Sequence, residues 1–424
     1  MKKFTLKGIS TLLLGLLIVV TSCNEESSIN QTEDLVLSEE LAIDNDIESK
    51  EVKTKAEIEK LAFLKQLRSI EKKNLYDERR TARTLMVPSR YETIQEALEV
   101  AEPRDIISVA KGSYFGNLNI VKDRITIQAR RGVVLYGQIN VMADHIKISG
   151  FTIDTDEDDG IYIDNSNKIL ITKNEMHLDE DIDGIDVNDS RNITITNNII
   201  STEDDEAVDV DDSERVKITL NNFYSDDDEC IDVDDSSNIE VLFNKLNATG
   251  HDDGMQCDDS DKVTIKNNDV TTEDDGFYLG YNTNVVVSGN SIIKIGEFFE
   301  DQGLDINDSV GGLYERNTIK GFDEGISLED SDENSINRNK VSECYSGIYL
   351  DDSDDNEFIL NRSTNNDYGF YIEGSDNNYL KGNTAFRNGE CDIYEDFNTC
   401  KNKYIANIAQ NKCLNGSNDC NQFN

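Results

Sequence analysis

Two columns of residues recur along this chain at a fixed offset, and few folds can accommodate that pattern. One column is small: Gly160, Gly184, Ala207, Cys230, Gly254, Gly276, Gly303, Gly325, Gly347, Gly369 and Cys391. The other is asparagine: Asn174, Asn198, Asn221, Asn244, Asn268, Asn290, Asn317, Asn339, Asn361 and Asn383. Each asparagine follows the small residue of its own repeat by 14 positions, whereas the step between repeats ranges from 22 to 27. Length therefore varies on one side of the repeat only. Inside the constant block apolar residues alternate twice, Ile185 and Val187 about Asp186, then Ile193 and Ile195 about Thr194. Such alternation marks strands with one buried face. A constant block of two short strands closed by a variable loop describes a coil of parallel strands around a narrow core. No helical stretch separates the strands, which excludes an ordinary βαβ sheet. Small residues suit the tight bend, and stacked asparagines form a buried amide ladder along the axis.

In such a coil the outward residues of one strand column form a long shallow groove suited to a chain-like ligand. Two residues beyond each small residue that column reads Tyr162, Asp186, Asp209, Asp232, Gln256, Tyr278, Asp305, Ser327, Tyr349 and Tyr371. Carboxylates sit centrally and aromatics toward the ends. Acids also precede the bend, at Asp158-Asp159, Asp181 and Asp183, Asp204-Asp205-Glu206, Asp226 to Glu229, Asp252-Asp253 and Asp274-Asp275. Asp186, Asp209 and Asp232 are candidate acid/base groups or metal ligands. His251, set against Asp252, is a candidate titratable partner or simply a solvated loop histidine. Tyr162, Gln256, Tyr278, Asp305 and Tyr349 are candidate substrate contacts, and Asp183, Asp205, Asp228 and Asp253 candidate metal ligands. Like charges about 5 Å apart cost roughly 1 kcal/mol in water and about 3 kcal/mol at an effective dielectric of 20. Three aspartates in register are thus not present for stability. Bound calcium, shared protons, or side chains fanned into solvent would each relieve the repulsion. Copper is disfavoured, since 3 His and 5 Met are few and scattered. Lys168, Arg191, Arg215 and Lys262 recur at the second bend, where they are expected to neutralise neighbouring acids; one of them is an alternative candidate for a lyase base.

The N-terminus carries different information. Lys2, Lys3 and Lys7 precede an apolar run from Ile9 to Val20 that is too short to span a bilayer and reads as a signal peptide. Val20-Thr21-Ser22-Cys23 resembles a bacterial lipobox, which makes Cys23 the expected lipidation site, and Glu25-Glu26 resembles the surface-export signal of Bacteroidetes lipoproteins. An outer-membrane lipoprotein facing the cell surface or the periplasm is expected. Residues 23–85 read as a partly helical tether, with Ile58, Leu61, Leu64, Leu67 and Ile70 at helical spacing. The net charge of -45 disfavours nucleic acid and anionic membrane surfaces as partners. Residues 86–424 are the expected coil domain, its regular body starting near Ile106. A short amphipathic helix is expected over about 91–101, from the stripe Ile94, Ala97, Leu98 and Ala101, and a cysteine-rich cap over about 391–424.

From Tyr91 onward, the entry helix, the segment Pro103 to Tyr114 and the repeats resemble the pectin-lyase-like superfamily. The resemblance implies an all-β, right-handed parallel β-helix whose N-terminal helix caps the open end of the coil. It also implies polysaccharide as the partner. Superfamily members include lyases that use calcium or a base, and inverting hydrolases with paired Asp. Ile182-Asp183-Gly184-Ile185-Asp186, followed by Asp204-Asp205, partly echoes the polygalacturonases. Their Asn-Thr before the first Asp, their Gly-His-Gly turn and their Arg-Ile-Lys are absent, so that activity is not carried over. Three readings stand: a polysaccharide-degrading lyase or inverting hydrolase, a non-catalytic glycan-binding lipoprotein, and an adhesin or stalk. Export predicts at least one disulfide among Cys391, Cys400, Cys413 and Cys420, with Cys230 and Cys257 as buried thiols. The long step from Gly276 to Gly303 brings in Phe298 and Phe299, which would either overhang the groove or cover core.

Overall fold

The computed structural model describes residues 60–62, 64, 65, 81–156, 158–179, 182–250, 252–296, 301–396, 398–414, 422 and 423. The signal segment, Cys23, most of the tether, His251, Phe298, Phe299 and Cys420 lie outside them.

In the repeat that begins at Gly184, strand Ile185–Asn188 buries Ile185 and Val187, strand Arg191–Thr196 buries Ile193 and Ile195, and strand Ile199–Ser201 buries Ile200. One repeat is one turn of three strands, and each strand pairs in parallel with its counterpart a turn away. Among the described residues the stacked strands form a sixteen-stranded sheet, a thirteen-stranded sheet, and a third face in two pieces of five and eight strands. The variable loop runs from the thirteen-stranded sheet to this third face. Inward side chains of all three merge into one continuous apolar core.

The small column is required by close approach. A Cβ at Gly184 would lie 2.5 Å from both the Ala207 carbonyl oxygen and Ile200 Cγ2. Ala207 and Cys230 do bring side chains to this bend, and the third face is interrupted just there. Its five-stranded piece ends at strand Val208–Asp211 and its eight-stranded piece starts at Gln256–Asp258. Backbone bonds still bridge the gap, with Asp232 N donating to Val208 O at 3.0 Å and Gln256 N to Ile231 O at 3.0 Å.

The asparagine ladder runs from Asn174 to Asn407, one turn further than the sequence columns. Asn198 is typical: its Nδ2 donates to Asn221 Oδ1 at 3.1 Å and to Ile171 O at 3.2 Å, and its backbone N–H donates to Asn221 Oδ1 at 2.9 Å. Each buried amide therefore finds partners in the turns on both sides. A second ladder was not read from the sequence. Ser166, Ser190, Ser213, Ser236 and Ser260 hand the backbone N–H of each to the hydroxyl of the next at 2.9–3.0 Å, and the line continues through Asn282 to Ser309, Ser331, Ser353 and Ser375.

Both ends are built differently from the middle. The first strand is Thr84–Val87, paired with Ile106–Val109, so the coil starts ahead of Ile106, with Leu85 and Val87 already buried. The entry helix is Ile94–Val100, shorter than expected, because Thr93 caps it in a reciprocal capping box with Glu96. It turns Ile94, Ala97 and Leu98 onto the first turns. At the other end a disulfide joins Cys391 to Cys413, Cα to Cα 6.0 Å, and Cys400 is also disulfide-bonded. Cys230, Cys257 and Cys344 are buried free thiols.

Candidate functional site

The third face carries the candidate site. Its backbone register places Asn140, Tyr162, Asp186 and Asp209 on successive strands, then Gln256, Tyr278, Asp305, Ser327, Tyr349, Tyr371 and Tyr394. Asp232 fills the gap between the two runs through the bonds at the interruption. The outward column thus exists as one line of side chains, and Tyr394 extends it by a turn. Apart from the buried Ser327, the residues from Tyr162 onward are partly exposed, which suits a shallow groove.

A second acidic line precedes the bend. It contains Asp159, Asp183, Glu206, Glu229, Asp253 and Asp275, each immediately before a small-column residue. Of the four expected metal ligands only Asp183 and Asp253 lie in this line. Asp205 and Asp228 sit one residue earlier, because the in-register positions of those turns are Glu206 and Glu229. All four nonetheless join clusters whose carboxylate oxygens lie within 4.8 Å of one another: Asp183 with Asp205 and Glu206, Asp228 with Glu206 and Glu229, and Asp253 with Asp274 and Asp275. Glu206 and Glu229 were missed, although their constant offset from the small column was the signal that identifies them.

Burial and like charge act together on these groups. Burial, then Asp159 and Asp211, raise Asp186 to about 7. Burial, then Asp186 and Asp232, raise Asp209 to about 7. Asp232 is lifted by burial only to about 6, since the Val233 N–H, 2.7 Å from Oδ1, favours its ionised form. Asp305 rises to about 7 through burial and Glu329. Before the bend the effect is larger, chiefly from burial: Asp183 and Asp253 to about 8, Asp275 and Glu229 to about 9, and Glu206 to about 11, the last helped by its hydrogen bond to Asp205. None of the leading influences on these groups is a lysine or arginine. Burial and mutual repulsion thus favour uptake of protons, or of a cation, by this face near neutral pH. One oxygen each of Asp183 and Asp258 is buried with no hydrogen-bond partner.

Two of the four basic residues at the second bend pair with their sequence neighbours. Arg215 pairs with Glu214 at 2.5 Å and Lys262 with Asp261, both on the edge shared with the sixteen-stranded sheet. The tyrosine end is richer than the column showed. Tyr345 and Tyr368, which precede the bend, join Tyr349, Tyr371 and Tyr394 in a single cluster.

A model of a right-handed β-helix region matches residues 131–292, and a model described as periplasmic copper-binding protein (NosD) matches residues 247–418. No curated protein sequence matches. Among solved structures, the chain is similar to a tailspike protein of E. coli bacteriophage HK620, at 10% identity over 76% of this chain and 74% of that one, TM-score 0.54. It is similar to a family 28 exopolygalacturonase of Yersinia enterocolitica, at 11% identity over 70% and 78%, TM-score 0.53. It is also similar to PfbA, a surface adhesin of Streptococcus pneumoniae, at 14% identity over 70% and 92%, TM-score 0.50. At these identities the likeness is one of fold. The segment matched by the NosD model is sparse in soft donors: it holds one histidine, His251, while Met255, Cys257 and Cys344 are buried in the core and Cys391, Cys400 and Cys413 are disulfide-bonded. By its turn geometry and the matched β-helix region, the chain has the right-handed parallel β-helix fold that these neighbours share.

Proposed function

We propose that this chain binds an extended polysaccharide along the carboxylate and tyrosine face while held at the outer membrane by a lipid on Cys23. The observation that carries the reading is the single outward line from Tyr162 through Asp186, Asp209 and Asp232 to Tyr349, Tyr371 and Tyr394. A ligand with its own repeat can meet such a line at many turns. Ionised carboxylates accept hydrogen bonds from sugar hydroxyls, protonated ones donate, and tyrosine rings stack on the C–H faces of pyranoses. The polysaccharide-related neighbours, a tailspike solved in complex with a hexasaccharide and an exopolygalacturonase, support this reading. A uronate chain would need a divalent cation to bridge it to this face, and calcium suits the carboxylate clusters around Glu206 and Asp253. A neutral glycan needs no cation.

One observation favours hydrolysis as a second reading. Asp186 and Asp232 flank Asp209 two strands apart, roughly 9.6 Å between backbones, which leaves room between their carboxyl groups for the water that an inverting mechanism requires. With values of about 7 and about 6, Asp186 would act as the general acid and Asp232 as the base. A panel of plant and algal polysaccharides, scored for both binding and released oligosaccharide with and without calcium, tests both readings. Binding without product supports capture alone, inverted product supports hydrolysis, and absence of binding to every polymer overturns the proposal.

A further inference from the structure

The most C-terminal stretch of the groove differs in kind from its centre. Tyr349, Tyr371 and Tyr394 stand outward on three successive strands, Ser346–Asp351, Tyr368–Glu373 and Cys391–Glu395. Tyr371 and Tyr394 stack with ring centroids 4.4 Å apart at 28°, and Tyr349 lies 5.5 Å from Tyr371. Tyr368 meets Tyr371 edge-on at 5.1 Å and Tyr394 at 5.7 Å, and Tyr345 continues the line 5.4 Å from Tyr368. None of the five is needed to fill the coil, because Ile348, Leu350, Phe370, Ile372 and Ile393 on the same strands already do so. All five are at least partly exposed, and Tyr345 is 50% exposed. Besides burial, Asp351 and then Glu324 act on the Tyr349 hydroxyl, and Tyr394 and then Glu373 on that of Tyr371.

We propose that this five-tyrosine platform is the anchoring subsite for uncharged sugar rings, an inference that rests on the polysaccharide-binding reading above. Aromatic faces set beside the carboxylates of Asp351 and Glu373 favour the apolar faces of neutral pyranoses. A uronate carboxylate would be repelled by Asp351 and Glu373. The platform also joins the acidic line without a break, through Ser327 and Asp305. A bound chain is thus held by its neutral residues at the Tyr394 end and extends toward Asp232.

The test uses the intact protein, with xylohexaose, cellohexaose and mannohexaose as neutral probes and hexagalacturonate as the anionic one. Because the chain has 16 Tyr and no Trp, tyrosine difference absorbance reads the platform directly. At least one neutral probe should perturb the tyrosine spectrum and bind more tightly than hexagalacturonate in chelator. The Tyr371→Ala plus Tyr394→Ala variant should bind it about tenfold or more weakly, as loss of two stacking faces implies. Tyr371→Phe plus Tyr394→Phe should stay near the parent, and Tyr371→Leu, which keeps apolar packing, should lose affinity at an unchanged melting temperature. Unchanged neutral-probe affinity in both the Ala and Leu variants overturns the subsite while leaving polysaccharide binding intact. Loss of self-association in those variants, with glycan affinity retained, overturns it in favour of a contact between copies of the chain. A parent that binds none of the four probes or any polymer overturns the polysaccharide reading and this inference with it.

Discussion

Replacing Asp209 with Asn should stabilise the protein at pH 8 and leave it nearly unchanged at pH 4. Asp209 lies between Asp186 and Asp232, and burial plus these two charges hold its proton to about 7, against an ordinary value of 3.8. A folded-state value above the unfolded one gives stability that is fully present below about pH 4 and lost as pH rises through about 7. The difference is roughly 3 pH units, each worth about 1.4 kcal/mol, or about 4 kcal/mol in all. Asp186 titrates in the same range and shares part of that sum, so on the order of 2 kcal/mol belongs to this single substitution. Asn is nearly isosteric with the protonated acid, keeps the oxygen that accepts from Val210 N–H, and carries no charge at any of these pH values. Urea and thermal unfolding of parent and variant, in chelator and at fixed ionic strength, measure the effect. A shift that is the same at pH 4 and pH 8, or a destabilised variant at pH 8, would refute the argument that Asp209 is an uncompensated, half-buried carboxyl.

Three further outcomes are expected. Calcium at a hundredfold excess over its dissociation constant should raise parent stability by about 2.7 kcal/mol; Glu206→Gln, which alters a ligand common to two clusters, should remove most of that gain, and a calcium titration followed by melting temperature decides it. Asn268→Ala, at a 2% exposed site that links Asn244, Asn290 and Val241, should cost about 3 kcal/mol through stranded buried partners and should speed hydrogen exchange at the Asn244 amide; slow exchange there would show the ladder to be dispensable. Cys23→Ser should release the protein from outer-membrane fractions without changing its circular dichroism, and membrane retention would count against the lipobox.

The columns that fixed the coil were legible because close approach leaves little choice of residue. Gly184 has the next turn's carbonyl where a Cβ would go, and each ladder asparagine must both donate and accept. The outward line was legible for a related reason: it sits at a constant step from that bend. What stayed hidden had weaker chemical identity. A serine such as Ser190 looks like any loop serine until its hydroxyl is seen receiving the Ser166 N–H. The runs of acids offered Asp205 and Glu206 as chemical equals, and only their offset from the small column separates the two. Tyr368 stands immediately before Gly369, where earlier turns carry an acid, and Tyr345 two residues before Gly347, so neither falls in the outward column that supplied the other tyrosines. The pairing of Cys391 with Cys413 was one of several open connectivities among the four C-terminal cysteines, and stacking one turn apart selects it.

The two ladders give the rod a unit of growth. Each turn presents one amide or hydroxyl to the turn after it and takes one from the turn before, so a copied turn inserted anywhere in a ladder would find every socket waiting. The three steps from Gly303 to Gly369, each of 22 residues, have the uniformity that such tandem copying would leave. Half a turn has no place in this scheme, because it would set asparagine against strand. The spacing between the acidic middle and the tyrosine end can therefore change only in whole increments of about 4.8 Å, and a descendant that must grip a longer or shorter stretch of ligand adjusts by gaining or losing complete coils.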